Sequence, residues 1–365
     1  MALYRLICNA DRTNLKIAVA CGARGELWGT FPRDIQIFNY WHALSLAGWA
    51  LKQNTPGLWL ARSLFNATIR LIHKRFRPDV WYINTIGQPN LVALAREIGV
   101  PCIIHTHESE SGLYLLKPHE LEDMISYPKL IIAASECAAE VFRVLGRREN
   151  IQICSGAIDI NEAKSEPKRA QTIRQSLDIS PDAFVWAMAG SRDPNKNPIG
   201  FVRIANRLLK RASETYFLWV GGRDTSHSQY AKALARTLNI DHKIVWLPER
   251  TNDYFDYLNV ADGFVLTSLN ESLSIVTLEA AALGKPFVSF DSGGPKEIFR
   301  DGMGAIVDSW NVEDMVEAMI GVMNGDIYLN ADVSRERAGE FDISTMVKQW
   351  ESIMRTYIKD TQVQL

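Results

Sequence analysis

Residues 266–286 read Leu266-Thr-Ser-Leu-Asn-Glu271-Ser-Leu-Ser-Ile-Val-Thr-Leu-Glu279-Ala-Ala-Ala-Leu-Gly284-Lys-Pro286. The run Gly263–Thr267 just before is apolar and β-branched, so it predicts a buried strand. Ser274–Leu283 predicts a helix, closed by Gly284 with Pro286 beyond it. Glu271 then falls in the loop at the strand's carboxyl end and Glu279 in the second helical turn. Helical side chains lean toward the amino terminus, so Glu279 can reach back toward whatever docks there. The helix start offers free N–H groups and a partial positive charge of about half a unit. Such a turn suits an anion flanked by hydroxyl groups, with phosphate on the amides and sugar hydroxyls on the two carboxylates.

Outward from this turn, strand-like and helix-like runs alternate. In the first half the strands expected are Leu15–Ala20, Val80–Asn84, Cys102–Thr106, Leu130–Ala134 and Ile151–Cys154. In the second half they are Phe184–Ala189, Tyr216–Val220, Ile244–Leu247, Gly263–Thr267 and Phe287–Phe290. Helical stretches such as Leu58–Phe76, Cys137–Leu145, Pro198–Lys210 and Val312–Met323 separate them. This alternation predicts an α/β protein of parallel sheets with helices on both faces. Residues 155–182 are polar and carry no strand pattern, which places the boundary between two Rossmann-like, doubly wound domains there. The domains expected are 1–157 and 158–341, with the amphipathic tail 342–365 as a terminal helix. Ligands bind such sheets at strand carboxyl ends, so a cleft between the domains is the expected site.

The chain opens on a helical stretch, Ala2–Asn9, rather than on a central strand and glycine-rich turn. The first domain therefore lacks its opening strand, and about 15–20 residues upstream of Met1 would supply one strand and its turn. The other reading is that a different strand fills the gap.

The 365 residues carry a formal net charge of −2, with 47% hydrophobic and 22% charged residues. That balance gives no global pull toward nucleic acid. The five cysteines are scattered and odd in number, which argues against a disulfide framework and for a reducing cytoplasm. No apolar run approaches the roughly 18 residues a membrane span needs.

Two further signals accompany the paired glutamates. Asp291-Ser-Gly293-Gly294-Pro-Lys-Glu297 follows the next strand, where close backbone approach to a ligand is useful. Ala189-Gly190-Ser191-Arg192-Asp193-Pro194-Asn195-Lys196-Asn197 follows the first strand of the second half. There Gly190 permits a tight exit, and Lys196 or Arg192 can neutralise a diphosphate. A plain strand-to-helix loop with exposed bases would read the same way in isolation.

Taken together, Gly190…Lys196, Glu271…Glu279 and Gly293-Gly294…Glu297 resemble the retaining glycosyltransferases of family 4, which have the GT-B fold. Phe217-Leu-Trp-Val-Gly-Gly222 and Leu278-Glu-Ala-Ala-Ala-Leu-Gly-Lys-Pro286 support the resemblance across the second half. In the first half it is carried by shorter phrases, among them Ile104-His-Thr-His107-Glu108 and Cys154-Ser-Gly156-Ala-Ile-Asp159.

The resemblance implies transfer of a sugar from a nucleoside diphosphate sugar, UDP- or GDP-linked, to an acceptor hydroxyl with retention, and no metal or other cofactor. It implies that Glu271 holds hydroxyls of the donor sugar and Glu279 those of the ribose. Main-chain amides of Leu273, Ser274, Ile275 and Val276 would bind the diphosphate, with Arg192 and Lys196 stabilising the departing nucleotide. His107 would face the donor sugar and donate a hydrogen bond to it or share developing charge, with His105 as its rival for that place. Ser191 stands where the family usually has arginine, and Ser272-Leu273-Ser274 where it has small-aromatic-small. The acceptor would be a glycan, lipid-linked or small molecule, in the setting of polysaccharide synthesis. The alternatives are a nucleotide-sugar-binding module without turnover and a GT-B-like sugar-nucleotide epimerase.

The stretch Arg62–Arg77 interleaves Leu64, Phe65, Ile69, Leu71, Ile72 and Phe76 with five basic residues. It reads as an ordinary surface helix, or as a basic amphipathic helix resting on anionic lipid at the inner face of a membrane.

Overall fold

The computed structural model describes residues 2–13, 15–22, 26–40, 57–164, 166–308 and 310–362. The first half runs α1 (Ala2–Asn9), β1 (Ala18–Cys21), β2 (Gln36–Asn39), α2 (Gly57–Phe76), β3 (Trp81–Ile83), α3 (Pro89–Ile98), β4 (Cys102–Thr106), α4 (Pro118–Ser126), β5 (Leu130–Ala133), α5 (Glu136–Val144) and β6 (Ile151–Ile153). The second half runs α6 (Pro167–Ser176), β7 (Phe184–Ala189), α7 (Pro198–Leu209), β8 (Thr215–Val220), α8 (Ser226–Thr237), β9 (Ile244–Leu247), α9 (Tyr254–Asn259), β10 (Gly263–Leu266), α10 (Ile275–Ala282), β11 (Phe287–Phe290), α11 (Gly294–Ile298), β12 (Gly304–Val307), α12 (Val312–Asn324), α13 (Ala331–Gly339) and α14 (Ile343–Gln362).

The second half forms one parallel sheet in the order β12-β11-β10-β7-β8-β9. From β7 the chain winds out through β8 to β9, then returns to the other side of β7 and winds out through β10, β11 and β12. The winding reverses between β7 and β10, and the crevice at their carboxyl ends is where such sheets take ligands. β7, β8 and β10 are buried on both faces, which is why they read as unbroken apolar runs.

Among the described residues the first half is divided. β3-β4-β5-β6 make one parallel sheet, and β1 pairs with β2 in a separate parallel ribbon. Along β4 the side chains alternate as a strand requires. Cys102 and Ile104 pack with Val92, Met124 and Phe142, whereas Ile103 packs with Leu6 of α1 and with Met346, Trp350 and Met354 of α14. The terminal helix thus covers the first sheet, far from the strand that precedes it in sequence. Ile158 and Asp342 form a parallel bridge where the chain leaves and re-enters this half.

Two elements in the polar stretches escaped the sequence reading. α6 lies inside 155–182, its charged face masking the few contacts it makes. Ala170 joins the second core, while Arg174 donates to the Val260 carbonyl at 3.0 Å and pairs with Asp262. β12 is an edge strand that opens on a glycine and buries only its first and last residues, so it lacks the unbroken apolar run of its neighbours.

Candidate active site

Each site residue lies on a loop that leaves a strand's carboxyl end. The loops after β7 and β10, either side of the reversal, are stitched together by hydrogen bonds to main-chain carbonyls. Leu269 N donates to the Asn195 carbonyl at 2.7 Å, and Asn195 Nδ2 to the Asn270 carbonyl at 2.8 Å. Thr267 Oγ1 donates to the Lys196 carbonyl at 2.8 Å. The loop after β11 clasps the same segment: Glu271 N donates to Ser292 O at 2.8 Å, and Gly294 N to Glu271 O at 2.9 Å. A Cβ on Gly294 would lie 2.5 Å from Leu273 N, so only glycine lets these backbones approach.

This clasp fixes the start of α10. Ser274 is the residue before the helix, buried and left-handed at φ 61°, so the helix begins at Ile275 rather than at Ser274. Its hydroxyl bonds to that of Thr277 at 2.8 Å. Among the described residues no protein acceptor meets the amides of Leu273, Ser274, Ile275 and Val276. Four orphan donors at a helix mouth make an anion site.

The carboxylates flank that mouth. Lys196 Nζ pairs with Glu271 Oε1 at 2.5 Å, the two side chains 17% and 11% exposed. Lys196 reaches back under its own loop, its stem against Gly190, which takes φ 127° on leaving β7. On the far side Glu279 accepts a hydrogen bond from the Tyr254 phenol at 2.7 Å. Burial pushes the Glu279 carboxyl up to about 6, opposed by the Tyr254 hydrogen bond and the nearby charge of Arg5.

The first half contributes the exit of β4. A cavity of about 240 Å³ opens between the halves, with His107, Glu108, Asn195, Asn270, Glu271 and Ser272 in its lining. The two candidate histidines separate cleanly. His105 is fully buried, and every polar atom on it is used. Its Nε2–H must donate to the Cys154 carbonyl at 3.3 Å, so its Nδ1 accepts from the Tyr82 hydroxyl at 2.6 Å. That hydroxyl in turn accepts from Trp350 Nε1 at 3.0 Å. His105 is a neutral structural residue tying α14 to the sheet, and burial holds it well below the usual imidazole range.

His107 faces the cavity. Its Nε2 lies 2.9 Å from Asn84 Oδ1, an acceptor only, so Nε2 carries the proton and Nδ1 a lone pair. Burial lowers its pKa, with the Glu108 carboxylate opposing. In this tautomer neutral His107 offers Nδ1 as an acceptor, and that atom donates once the ring is protonated.

Glu108 was missed as a site residue. Its Oε2 accepts from the amides of His107 at 3.0 Å and Ile86 at 3.3 Å, and Thr85 Oγ1 bonds Oε1. It holds two strand-exit loops of the first half together. Its place directly after His107 was the available signal. Glu297, read only as the end of a glycine-rich phrase, crosses the cleft. It accepts from the amides of Glu136 at 2.8 Å and Cys137 at 2.5 Å, capping the start of α5. Ser272 Oγ crosses in the same sense, donating to the His107 carbonyl.

Arg192 does not join the site. The residue is 4% exposed and its guanidinium is spent: Nε donates to the Gly221 carbonyl at 3.0 Å, and the two terminal nitrogens bond Asp224 and the Leu247 carbonyl. It also lies over the Trp246 ring at 5.6 Å. The expectation that it reaches a diphosphate is therefore corrected; it braces the ends of β8 and β9. A larger depression of about 480 Å³ lies along the outer strand β9, lined by Lys232, Arg236 and Trp246 among others. It is at the sheet edge rather than at the reversal, and Lys232 is already paired with Asp224 at 2.8 Å.

With this geometry in hand, the comparisons with known proteins are specific. The family model of Glycosyl transferases group 1 matches residues 169–340. A D-inositol 3-phosphate glycosyltransferase of Actinosynnema mirum is 28% identical over 207 residues, 54% of this chain and 50% of that protein. The UDP-Gal:alpha-D-GlcNAc-diphosphoundecaprenol alpha-1,3-galactosyltransferase of Escherichia coli is 23% identical over 282 residues, 72% of this chain and 70% of that protein. The chain spans about half the length of the D-inositol 3-phosphate glycosyltransferases it matches. Among solved structures, Anabaena HepE in complex with UDP-glucose has a TM-score of 0.74 at 19% identity, covering 94% of this chain and 91% of its own. That likeness shows the fold: two Rossmann-like domains in the GT-B arrangement.

Removing Arg192 leaves the Gly221 and Leu247 carbonyls without their donor, at about 1–3 kcal/mol. Arg192→Ala is expected to lower the unfolding free energy by that order, read as a lower urea midpoint. A variant as stable as the parent but deficient in nucleotide binding would return Arg192 to the site.

Proposed function

We propose that this chain, whose residues 169–340 match the family model of the group 1 glycosyl transferases, moves a sugar from a nucleoside diphosphate sugar to an acceptor hydroxyl with retention at the anomeric carbon. The observation that carries the reading is the mouth of α10. Four main-chain amides that meet no protein acceptor among the described residues lie between the Lys196–Glu271 pair and the Glu279–Tyr254 pair, at the reversal of a doubly wound sheet.

The chemistry follows from those groups. The amides take phosphate oxygens, and the positive end of the helix favours their charge. The Lys196 ammonium has three N–H donors, of which Glu271 occupies one. The others are available to the leaving diphosphate, where charge grows as the glycosidic bond breaks. Glu271 keeps a second oxygen for sugar hydroxyls, and Glu279 keeps Oε1 for the ribose. His107, Ser272 and Asn195 close the sugar side. Catalysis on this reading is positioning and charge stabilisation, with the departing phosphate taking the acceptor's proton. HepE was solved with UDP and with UDP-glucose, which supports uridine as the base.

The acceptor we favour is lipid-linked. The named E. coli relative acts on a diphosphoundecaprenol substrate. α2 buries Phe65 and Ile69, leaves Leu64 and Leu71 40% and 66% exposed, and has no acidic residue along its length. Lys74 and Arg75, three and four positions beyond Leu71 on the same helix, are exposed beside it. Among the described residues no helix is long and apolar enough to cross a membrane. This face therefore suits contact with an anionic lipid surface.

A thermal-shift screen of UDP-, GDP- and ADP-sugars identifies the donor, and nucleotide release from it then gives the rate. Lys196→Ala and Glu271→Ala are each expected to lower that rate about 100- to 1,000-fold; wild-type turnover in either defeats the assignment. In flotation with vesicles of phosphatidylglycerol, the protein should rise with the lipid at low salt, and Lys74→Glu/Arg75→Glu should remain below. Equal flotation of both would remove α2 from the account.

A further inference from the structure

We propose that Tyr254 is a positioning residue that fixes the Glu279 carboxylate for the ribose hydroxyls of the donor nucleotide. The inference rests on the donor-site reading above and adds to it a residue that no feature of the sequence singled out.

Tyr254 opens α9, directly after the exit loop of β9, and its phenol meets a glutamate from a different helix. An ionised carboxylate only accepts, so the direction of the 2.7 Å bond is settled: Tyr254 donates to Oε2. That leaves Oε1 and one side of Oε2 to accept from a pair of vicinal hydroxyls. The ring is itself held by the second core, so the phenol oxygen is a fixed point for a carboxylate otherwise free to rotate.

The charged and titratable groups around Glu279 come from four elements: Tyr254 from α9, Arg5 from α1, Glu162 from the segment before α6, and Lys196 from the loop after β7. Arg5 and Lys196 favour the ionised form, Glu162 opposes it, and burial opposes it most. The carboxyl accordingly titrates close to 6. Burial and the adjacent carboxylate hold the Tyr254 proton far above its ordinary range, so the phenol remains a donor throughout. Below the midpoint a protonated Glu279 can no longer accept from both ribose hydroxyls, and affinity falls. The Tyr254 bond stabilises the ionised form, so its removal moves the midpoint upward.

The test measures the affinity of UDP-glucose from pH 5 to 8.5 for the parent chain, Tyr254→Phe and Glu279→Gln. Each phosphorus of UDP-glucose carries one ester and one anhydride link and a single acidic oxygen, which stays ionised across this range. The parent chain is expected to tighten about 10-fold per pH unit below its midpoint, as one titrating carboxyl requires, and to level off above it. Tyr254→Phe should move that midpoint up by about half a unit or more, so its deficit is greatest near pH 6 and shrinks toward pH 8.5. Glu279→Gln should abolish the step, which separates it from any titration of His107. The 2′,3′-dideoxy analogue should bind the parent chain and Tyr254→Phe alike, without the step. An unmoved midpoint in Tyr254→Phe, or a loss equal at every pH, would overturn the proposal. If the parent chain binds neither UDP-glucose nor GDP-mannose, the donor-site reading itself fails, and this inference with it.

Discussion

A helix that begins beneath the surface must find partners for its first amides, and α10 has none of its own. Leu273 to Val276 present their N–H groups at the point where the sheet reverses its winding, and among the described residues no carbonyl or side chain meets them. Donors at a helix start are met by side chains, water or a ligand. The clasp between Glu271, Ser292 and Gly294 prevents the loop from relaxing to satisfy them. The fold thus holds a cluster of donors ready for an anion, and the flanking carboxylates and Lys196 decide which anions fit.

The two halves meet around this mouth chiefly through main-chain groups. Ser272 donates to the carbonyl of His107, and Glu297 caps the amides that open α5. Contacts of this kind constrain where the loops sit without demanding particular side chains from the other half. The helix α14 completes the link from behind, with Trp350, Tyr82 and His105 in one chain of hydrogen bonds. His107 then lies against His105, ring centroids 4.1 Å apart and planes tilted by 40°, at the edge of the cavity that Glu271 borders. A rigid neutral histidine behind a reactive-facing one keeps the second ring in place without adding charge to the cleft.

Much of this was legible in the chain itself. The apolar runs of β7, β8 and β10 and the glycine exits gave the second sheet, and the Glu271–Glu279 spacing gave the helix mouth. What escaped reading shares one cause: it depends on partners distant in sequence. Nothing in Arg192 reveals that Gly221, Asp224 and Leu247 will consume its guanidinium. Nothing in Glu297 reveals α5, more than 150 positions earlier, and nothing in Tyr254 reveals Glu279. The alternation of β4 placed His105 and His107 on one face, but the choice between them needed Tyr82 and Cys154. The four strands of the first sheet were legible as apolar runs, but β2 of the separate ribbon was not: its four residues Gln36–Asn39 begin and end on polar side chains.

The account stands or falls on where the diphosphate goes. A crystal structure with UDP-glucose bound is its most direct test. The account predicts phosphate oxygens within hydrogen-bonding distance of the Ile275 and Val276 amides, the ribose against Glu279 and the sugar hydroxyls against Glu271. A nucleotide seated elsewhere, such as the depression beside Lys232 and Trp246, with the α10 amides still unmet, would contradict it.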